Sequence, residues 1–271
     1  MCLAVDNSLW RRFAKKKITE SGIDRTLGRY KSREFREILQ KWSPALERKN
    51  LLKTDLCEEA FGEDELLFSL SESGSSIFAL DVAADTAIRA NIKQRLRGLK
   101  QKYIAADVRN LPFKDNFFDV IISSSTLDHF SSDADLIRSL LELKRVIKPG
   151  GKLVIALNNG CNLNFYLMLK LGRLFNLIPY PVQFYGIHKL RRIMNEAGFV
   201  IRNKSYIVHI ISPLNSLLLL LRRFADEETV GRIAGKIICL FNRMGKNKMT
   251  NFLTGWFIAL GCVKKSDREI L

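Results

Sequence analysis

Residues 117–158 carry the pattern that most constrains this chain. FFDVIISSS is apolar through its middle without alternation, as in a strand buried on both faces. SSDADLIRSLLELKRVI then places apolar residues at helical spacing and opens with serine and aspartate, residue types that cap a helix start. KPGG makes a turn, and KLVIALN reads as a second buried strand. The same unit stands upstream: SSIFALDV as strand, AADTAIRANIKQRLRG as a helix ending at Gly98, and KYIAADV as strand. A shorter apolar stretch at Leu51–Leu56 precedes them. Repeated strand–helix–strand units predict an α/β, Rossmann-like, mostly parallel sheet with helices on both faces.

Ligands of such sheets lie outside the carboxyl ends of the strands. That rule selects Thr54–Glu59, Asp81–Ala83, Asp107–Val108, Ser123–His129 and Asn158–Asn162 before their chemistry is considered. Asp81 ends a strand where a carboxylate can accept from both hydroxyls of an adenosine ribose, or simply cap the following helix. Asp107 can accept from an exocyclic adenine amino group while the next backbone N–H serves a ring nitrogen; a turn aspartate is the plainer reading.

Around this centre the pattern is less regular. SREFREILQKW reads as a helix, and Ser43-Pro44 suits the start of another. EDELLFSLSESG reads as a helix closed by Gly74. After Asn162, the spacing predicts a helix stopping near Pro179, a basic amphipathic helix HKLRRIMNEAGF, a strand VIRNKSYIVHII and a last strand TGWFIALGCV. The expected organisation is a helical cap over residues 1–49 and one sheet domain over 50–271, with helical insertions at about 162–180 and 213–250.

The five cysteines are widely spaced, which argues against a zinc site or a disulfide framework and for a reducing compartment. MCLAVDNSLWRRFAKKK is charged where a secretion signal is apolar, so a cytoplasmic location is expected, with peripheral contact at the inner face of a membrane as an extension. The formal charge of +16 is uneven. Residues 1–53 carry net +8, residues 54–187 net −1 and residues 188–248 net +8. Basic flanks suit phosphates of lipid headgroups or nucleic acid, or serve as a solubilising surface.

The motifs together resemble a class I S-adenosylmethionine-dependent methyltransferase of the type 11 kind. LPFKDNFFDVIISSSTLDHF followed by LKRVIKPGGKLVIALNN carries the family's fourth and fifth strands. FALDVAADTAIRANIK resembles the second strand with its ribose-binding acid, and IAADVRNLPF the adenine-contacting segment. HKLRRIMNEAGFVI resembles the late helix, Gly-Phe and strand. The resemblance covers about residues 50–212 and implies seven strands with the last antiparallel, a role TGWFIALGCV can fill. It implies S-adenosyl-L-methionine as cofactor, with Asp81, Val82, Asp107 and Val108 on adenosine and Ser123 and Ser124 beside the methyl group.

One departure is large. The family's first strand runs into a glycine-rich turn, whereas LLKTDLCEEAFGED has no glycine before Gly62. Absence of a GxGxxG fingerprint also argues against a nicotinamide enzyme. Either cofactor binding is lost, or side chains replace backbone contacts in a variant loop. Thr54, Asp55 and Glu58 are the candidates for the cationic methionine end; an acidic helix start is the alternative for Glu58 and Glu59.

STLDHF follows the fourth strand. His129 can act as a general base toward a hydroxyl acceptor, with Asp128 as a possible orienting partner, although neighbouring side chains in a turn point apart. Asn158, Asn159 and Asn162 either line an acceptor pocket or make turn contacts. His188 and His209 read as structural. No metal is expected. The function expected is methyl transfer to a small or lipid-like acceptor, most simply on oxygen. A non-catalytic relative acting as a partner subunit or membrane adaptor, and an RNA methyltransferase, are the alternatives. Ile207–Leu221 is too short to span a bilayer but, with Leu167–Tyr180 and HKLRRIM, suits an anionic membrane surface or a lid. Nucleic acid fits less well, because the late basic segment is interleaved with leucines. Oligomeric state is not legible.

Overall fold

The computed structural model of the 271-residue protein describes residues 25–44, 46–62, 66–71, 73–174, 181–210 and 214–265. Among these, seven strands make one sheet: β1 (Asn50–Lys53), β2 (Ser76–Asp81), β3 (Lys102–Ala105), β4 (Phe118–Ser124), β5 (Ile147–Asn158), β6 (Phe199–His209) and β7 (Gly255–Lys264). Their order is β3-β2-β1-β4-β5-β7-β6. The first five are parallel, and β7 is antiparallel to both β5 and β6. The chain builds outward from β1 to β3, then returns to place β4 on the other side of β1. That reversal opens a crevice at the carboxyl ends of β1 and β4.

Alternation along each strand sorts the core into two layers. Leu51, Ile77, Ala79, Val120, Ile122 and Val154 point to one face, and Leu52, Leu80, Ile121, Leu153 and Ile155 to the other. The second face is covered by α5 (Asp133–Val146) and α7 (Ile187–Glu196). Ser132 caps α5 by accepting from Asp135 N–H. After α7 the chain turns at Gly198 with φ 80°, and the Lys144 side chain lies where a Cβ would stand.

The first face is covered by α1 (Arg25–Trp42), α3 (Leu66–Ser71), α4 (Ala84–Leu96), α8 (Leu214–Leu221) and α9 (Glu227–Lys246). The short helices α2 (Cys57–Phe61) and α10 (Asn251–Thr254) flank β1 and β7, and α6 (Leu163–Leu174) follows β5.

Two expectations change, and the helix expected within the cap rests directly on the core: Leu27, Tyr30, Phe35, Leu39 and Trp42 of α1 pack in one cluster with Leu51 and Val120. Residues 1–24 of that cap lie outside the described residues. No helix starts at Ser43-Pro44 among the described residues; Glu47–Arg48 forms a turn, and the Ser75 hydroxyl donates to the Leu46 carbonyl. The chain must reverse there to enter β1. The basic helix α7 does not offer an apolar surface, because Leu190, Ile193 and Met194 are buried on the sheet and only its polar side faces out.

Candidate functional site

β1 ends at Lys53, which is only 2% exposed. Its Nζ donates to the Asp55 carbonyl at 2.8 Å and lies 2.8 Å from the Glu59 carboxylate. Burying an ammonium is tolerable only against such acceptors. The glycine-free loop is therefore held by a charge cluster within itself. Asp55 accepts from Cys57 N–H at 2.9 Å, a local turn contact just before α2. Lys31 of α1 pairs with Glu58, so Glu58 anchors the loop to the first helix.

Thr54 and Ser123 are buried, and their hydroxyls meet at 3.0 Å across the ends of β1 and β4. Thr126 is 3.0 Å from the same threonine oxygen. These hydroxyls knit the crevice floor together. Ser124, half-buried, ends β4. Ser125 follows at φ 55°, an uncommon conformation for a residue other than glycine, with its N–H on the Ala156 carbonyl.

Asp81 ends β2, beside β1 in the sheet. One carboxylate oxygen accepts from Ala83 N–H at 2.8 Å, and the other takes a long contact of 3.4 Å from Leu56 N–H. Burial, with Asp55 adding repulsion, pushes this carboxyl up to about 7. The residue is half-buried, as is Val82 after it.

Asp107 follows β3 and is clamped by Arg109, with Nη2 at 3.0 Å and the Arg109 N–H at 2.9 Å. Arg109 also reaches Asp135 at 2.8 Å and lies over the Phe130 ring. The clamp connects the loops after β3 and β4. Val108 is buried beneath it.

Asp128 and His129 direct their hydrogen bonds to different partners. Asp128 is fully buried; it accepts from Asn158 N–H at 3.0 Å and the Ser125 hydroxyl at 3.1 Å. Its carboxyl is raised by burial. His129 Nδ1 lies 3.0 Å from the Pro181 carbonyl and must donate to it. Asp128 also accepts from Gln183 N–H through its own carbonyl, so it ties β4, β5 and the segment before α7 together. Asn159 and Asn162 both donate to the Gly255 carbonyl, and Asn159 also to Phe252, which fastens α10 to the end of β5. His209 is structural: buried, it bonds Thr254 and the Tyr206 carbonyl, and burial lowers its pKa.

The sheet order, the convergence of Asp81, Asp107 and the β4 loop, and a sequence match now coincide: residues 58–155 match the methyltransferase domain family. Residues 58–155 thus carry the similarity to a methyltransferase domain, and the sheet around them has the class I methyltransferase fold. An uncharacterised protein of Methanocaldococcus jannaschii is 27% identical over 144 residues, 47% of this chain and 62% of that protein. The demethylmenaquinone methyltransferase of Thermus thermophilus is 35% identical over 98 residues, 35% of this chain and 43% of that enzyme. The chain thus spans less than two thirds of the curated relatives it matches here. Among solved structures, geranyl diphosphate C-methyltransferase from Streptomyces coelicolor superposes with a TM-score of 0.60 at 12% identity, covering 97% of this chain and 99% of that one.

Within the methyltransferase domain, the donor set fits S-adenosylmethionine. A carboxylate offers about four lone-pair positions, and Asp81 uses two, leaving acceptors for vicinal hydroxyls. Asp55 adds negative charge beside it. Lys53 and Arg109 were not foreseen from sequence. The lone lysine ending an apolar strand was the available signal for the first. For the second it was an arginine two residues beyond a strand-end aspartate. No group of three or more possible metal ligands occurs among the described residues.

Proposed function

We propose that this protein transfers the methyl group of S-adenosylmethionine to a small or lipid-like acceptor, on oxygen. The half-buried Asp81 carboxylate, at the end of β2 against the loop that leaves β1, carries the reading. In it, Asp81 accepts from the ribose hydroxyls, Val82 borders the ribose, and Asp107 with the Val108 N–H addresses adenine. Asp55 places negative charge toward the cationic methionine end, while Glu58, Thr54 and Ser123 hold the loop and floor in place. Ser124 and His129 border the acceptor. When bound, the cofactor supplies an already activated methyl donor, so alignment and exclusion of water account for much of the rate.

His129 has the role of base. With Nδ1 donating to the Pro181 carbonyl, Nε2 is the ring nitrogen that would accept the proton of an acceptor hydroxyl. Asp128 acts as a positioning residue for this loop. Support for a lipid-like acceptor comes from one relative named for demethylmenaquinone and one structural neighbour named for geranyl diphosphate.

Calorimetric titration with S-adenosylmethionine and S-adenosylhomocysteine tests the reading. Micromolar binding that Asp81→Ala weakens at least tenfold is expected. Because ionised Asp81 is the acceptor and its pKa is about 7, affinity should rise between pH 6 and pH 8. Failure of a folded sample to bind either ligand would overturn the enzyme reading in favour of a non-catalytic adaptor.

A further inference from the structure

The long helix α9 buries one stripe and exposes another that the fold does not need. Val230, Ala234 and Ile238 pack into the core. Ile233, Leu240 and Met244 are 37%, 58% and 43% exposed. At 3.6 residues per turn these three fall within about 40° of one another around the helix. Arg232, Lys236 and Arg243 are also exposed and form a second row about 80° away. Residues 229–248 contain five basic side chains and no acidic one; the acids Asp226, Glu227 and Glu228 sit at the helix start, where they cap it and suit the dipole.

Large apolar side chains are also exposed on either side of α9 along the chain. Phe224 is 82% exposed before it and Met249 81% after it, and Leu253 of α10 is exposed as well. Asn159 and Asn162 fasten α10 to the carboxyl end of β5, so this surface adjoins the rim of the candidate site. At the same rim α6, which has no acidic residue, exposes Tyr166, Leu167 and Leu174 with Lys170 and Arg173.

We propose that the exposed flank of α9, continued by α10, docks on an anionic lipid bilayer. An apolar row lying beside a basic row is the arrangement of a helix in the membrane interface, with the apolar side chains among acyl chains and the cations among headgroup phosphates. A protein interface of this kind would be depleted of lysine at its core. Among the described residues no helix is long and apolar enough to cross a membrane, so attachment is lateral. The docking surface stands on its own geometry; its service to the acceptor rests on the lipid-like reading above.

The test is co-sedimentation of the full chain with phosphatidylcholine vesicles, with and without phosphatidylglycerol. Binding to the anionic vesicles alone, weakened by salt, is expected. Lys236→Gln with Arg243→Gln should weaken it about 30-fold, a factor of about five for each basic residue. Leu240→Ser with Met244→Ser should weaken it comparably, while calorimetric binding of S-adenosylmethionine stays unchanged in both double variants. Vesicle binding without cofactor binding would leave the docking surface standing and sink the enzyme reading. Absence of binding by the unaltered chain, equal binding to neutral vesicles, or unaltered affinity in both double variants would overturn the proposal. Self-association abolished by the same substitutions, without vesicle binding, would also overturn it and assign the face to a protein contact.

Discussion

Lys53 and Asp81 carry opposite electrostatic problems within one loop cluster. Lys53 is buried and charged, and the Glu59 carboxylate 2.8 Å away makes that tolerable. Removing one member of a buried pair leaves the other uncompensated, a loss of about 3–5 kcal/mol. Lys53→Met should therefore lower Tm by many degrees, and the double change Lys53→Met with Glu59→Gln should recover part of the loss; thermal melts of both decide. Asp81 is raised in the folded chain, so its contribution to stability is fully present below the unfolded carboxylate value near 4 and is lost as pH rises to about 7. Asp81→Asn should stabilise the unliganded protein increasingly from pH 4 to 7 and by a constant amount above that. Denaturant titrations across that range would show it; a pH-independent difference would mean Asp81 is not held high. In the proposed reading the same substitution should weaken cofactor binding, the usual opposition between stability and function at a binding residue.

At the scale of elements, α9 is attached to β6 through close backbone contact. Gly245 stands against the His209 ring, so closely that a Cβ there would overlap it. The strand bends just before, where Val208 is held at φ 58° and the His209 N–H donates to the Tyr30 hydroxyl of α1. Gly235, two turns and more earlier in α9, has open space around the position of a Cβ. One substitution should thus have two signs on one helix. Gly235→Ala should stabilise by about 0.5–1 kcal/mol through helix propensity, and Gly245→Ala should destabilise by more than that gain. Matched thermal melts measure both, and a stabilising Gly245→Ala would show that α9 does not approach β6 this closely.

Over the whole molecule, cofactor and fold are coupled by mass action. Ligand at 100 times its Kd adds about 2.7 kcal/mol to the folded state. For a chain of this size that corresponds to a Tm increase of roughly 5–10 °C. S-adenosylmethionine should produce such a shift, and Asp81→Ala should abolish it. The strand–helix alternation of residues 75–158 was enough by itself to determine a parallel sheet, because apolar continuity and helical spacing are local properties of the chain. Strand-end position likewise marked Asp81, Asp107 and the β4 loop as the candidate site region. Residue roles there were not legible. Lys53 clasping Glu59 and Arg109 clamping Asp107 are side-chain choices within single loops, which periodicity does not report, while the reach of Arg109 to Asp135 and the divergent partners of Asp128 and His129 depend on segments that the fold brings together. The sequence determined that residues 32–42 and 188–196 are amphipathic helices; only the tertiary structure decided that both bury their apolar sides on the sheet, while α9 keeps a second apolar row in solvent. Periodicity reports that a helix has faces, whereas which face meets the core depends on where the sheet lies in space.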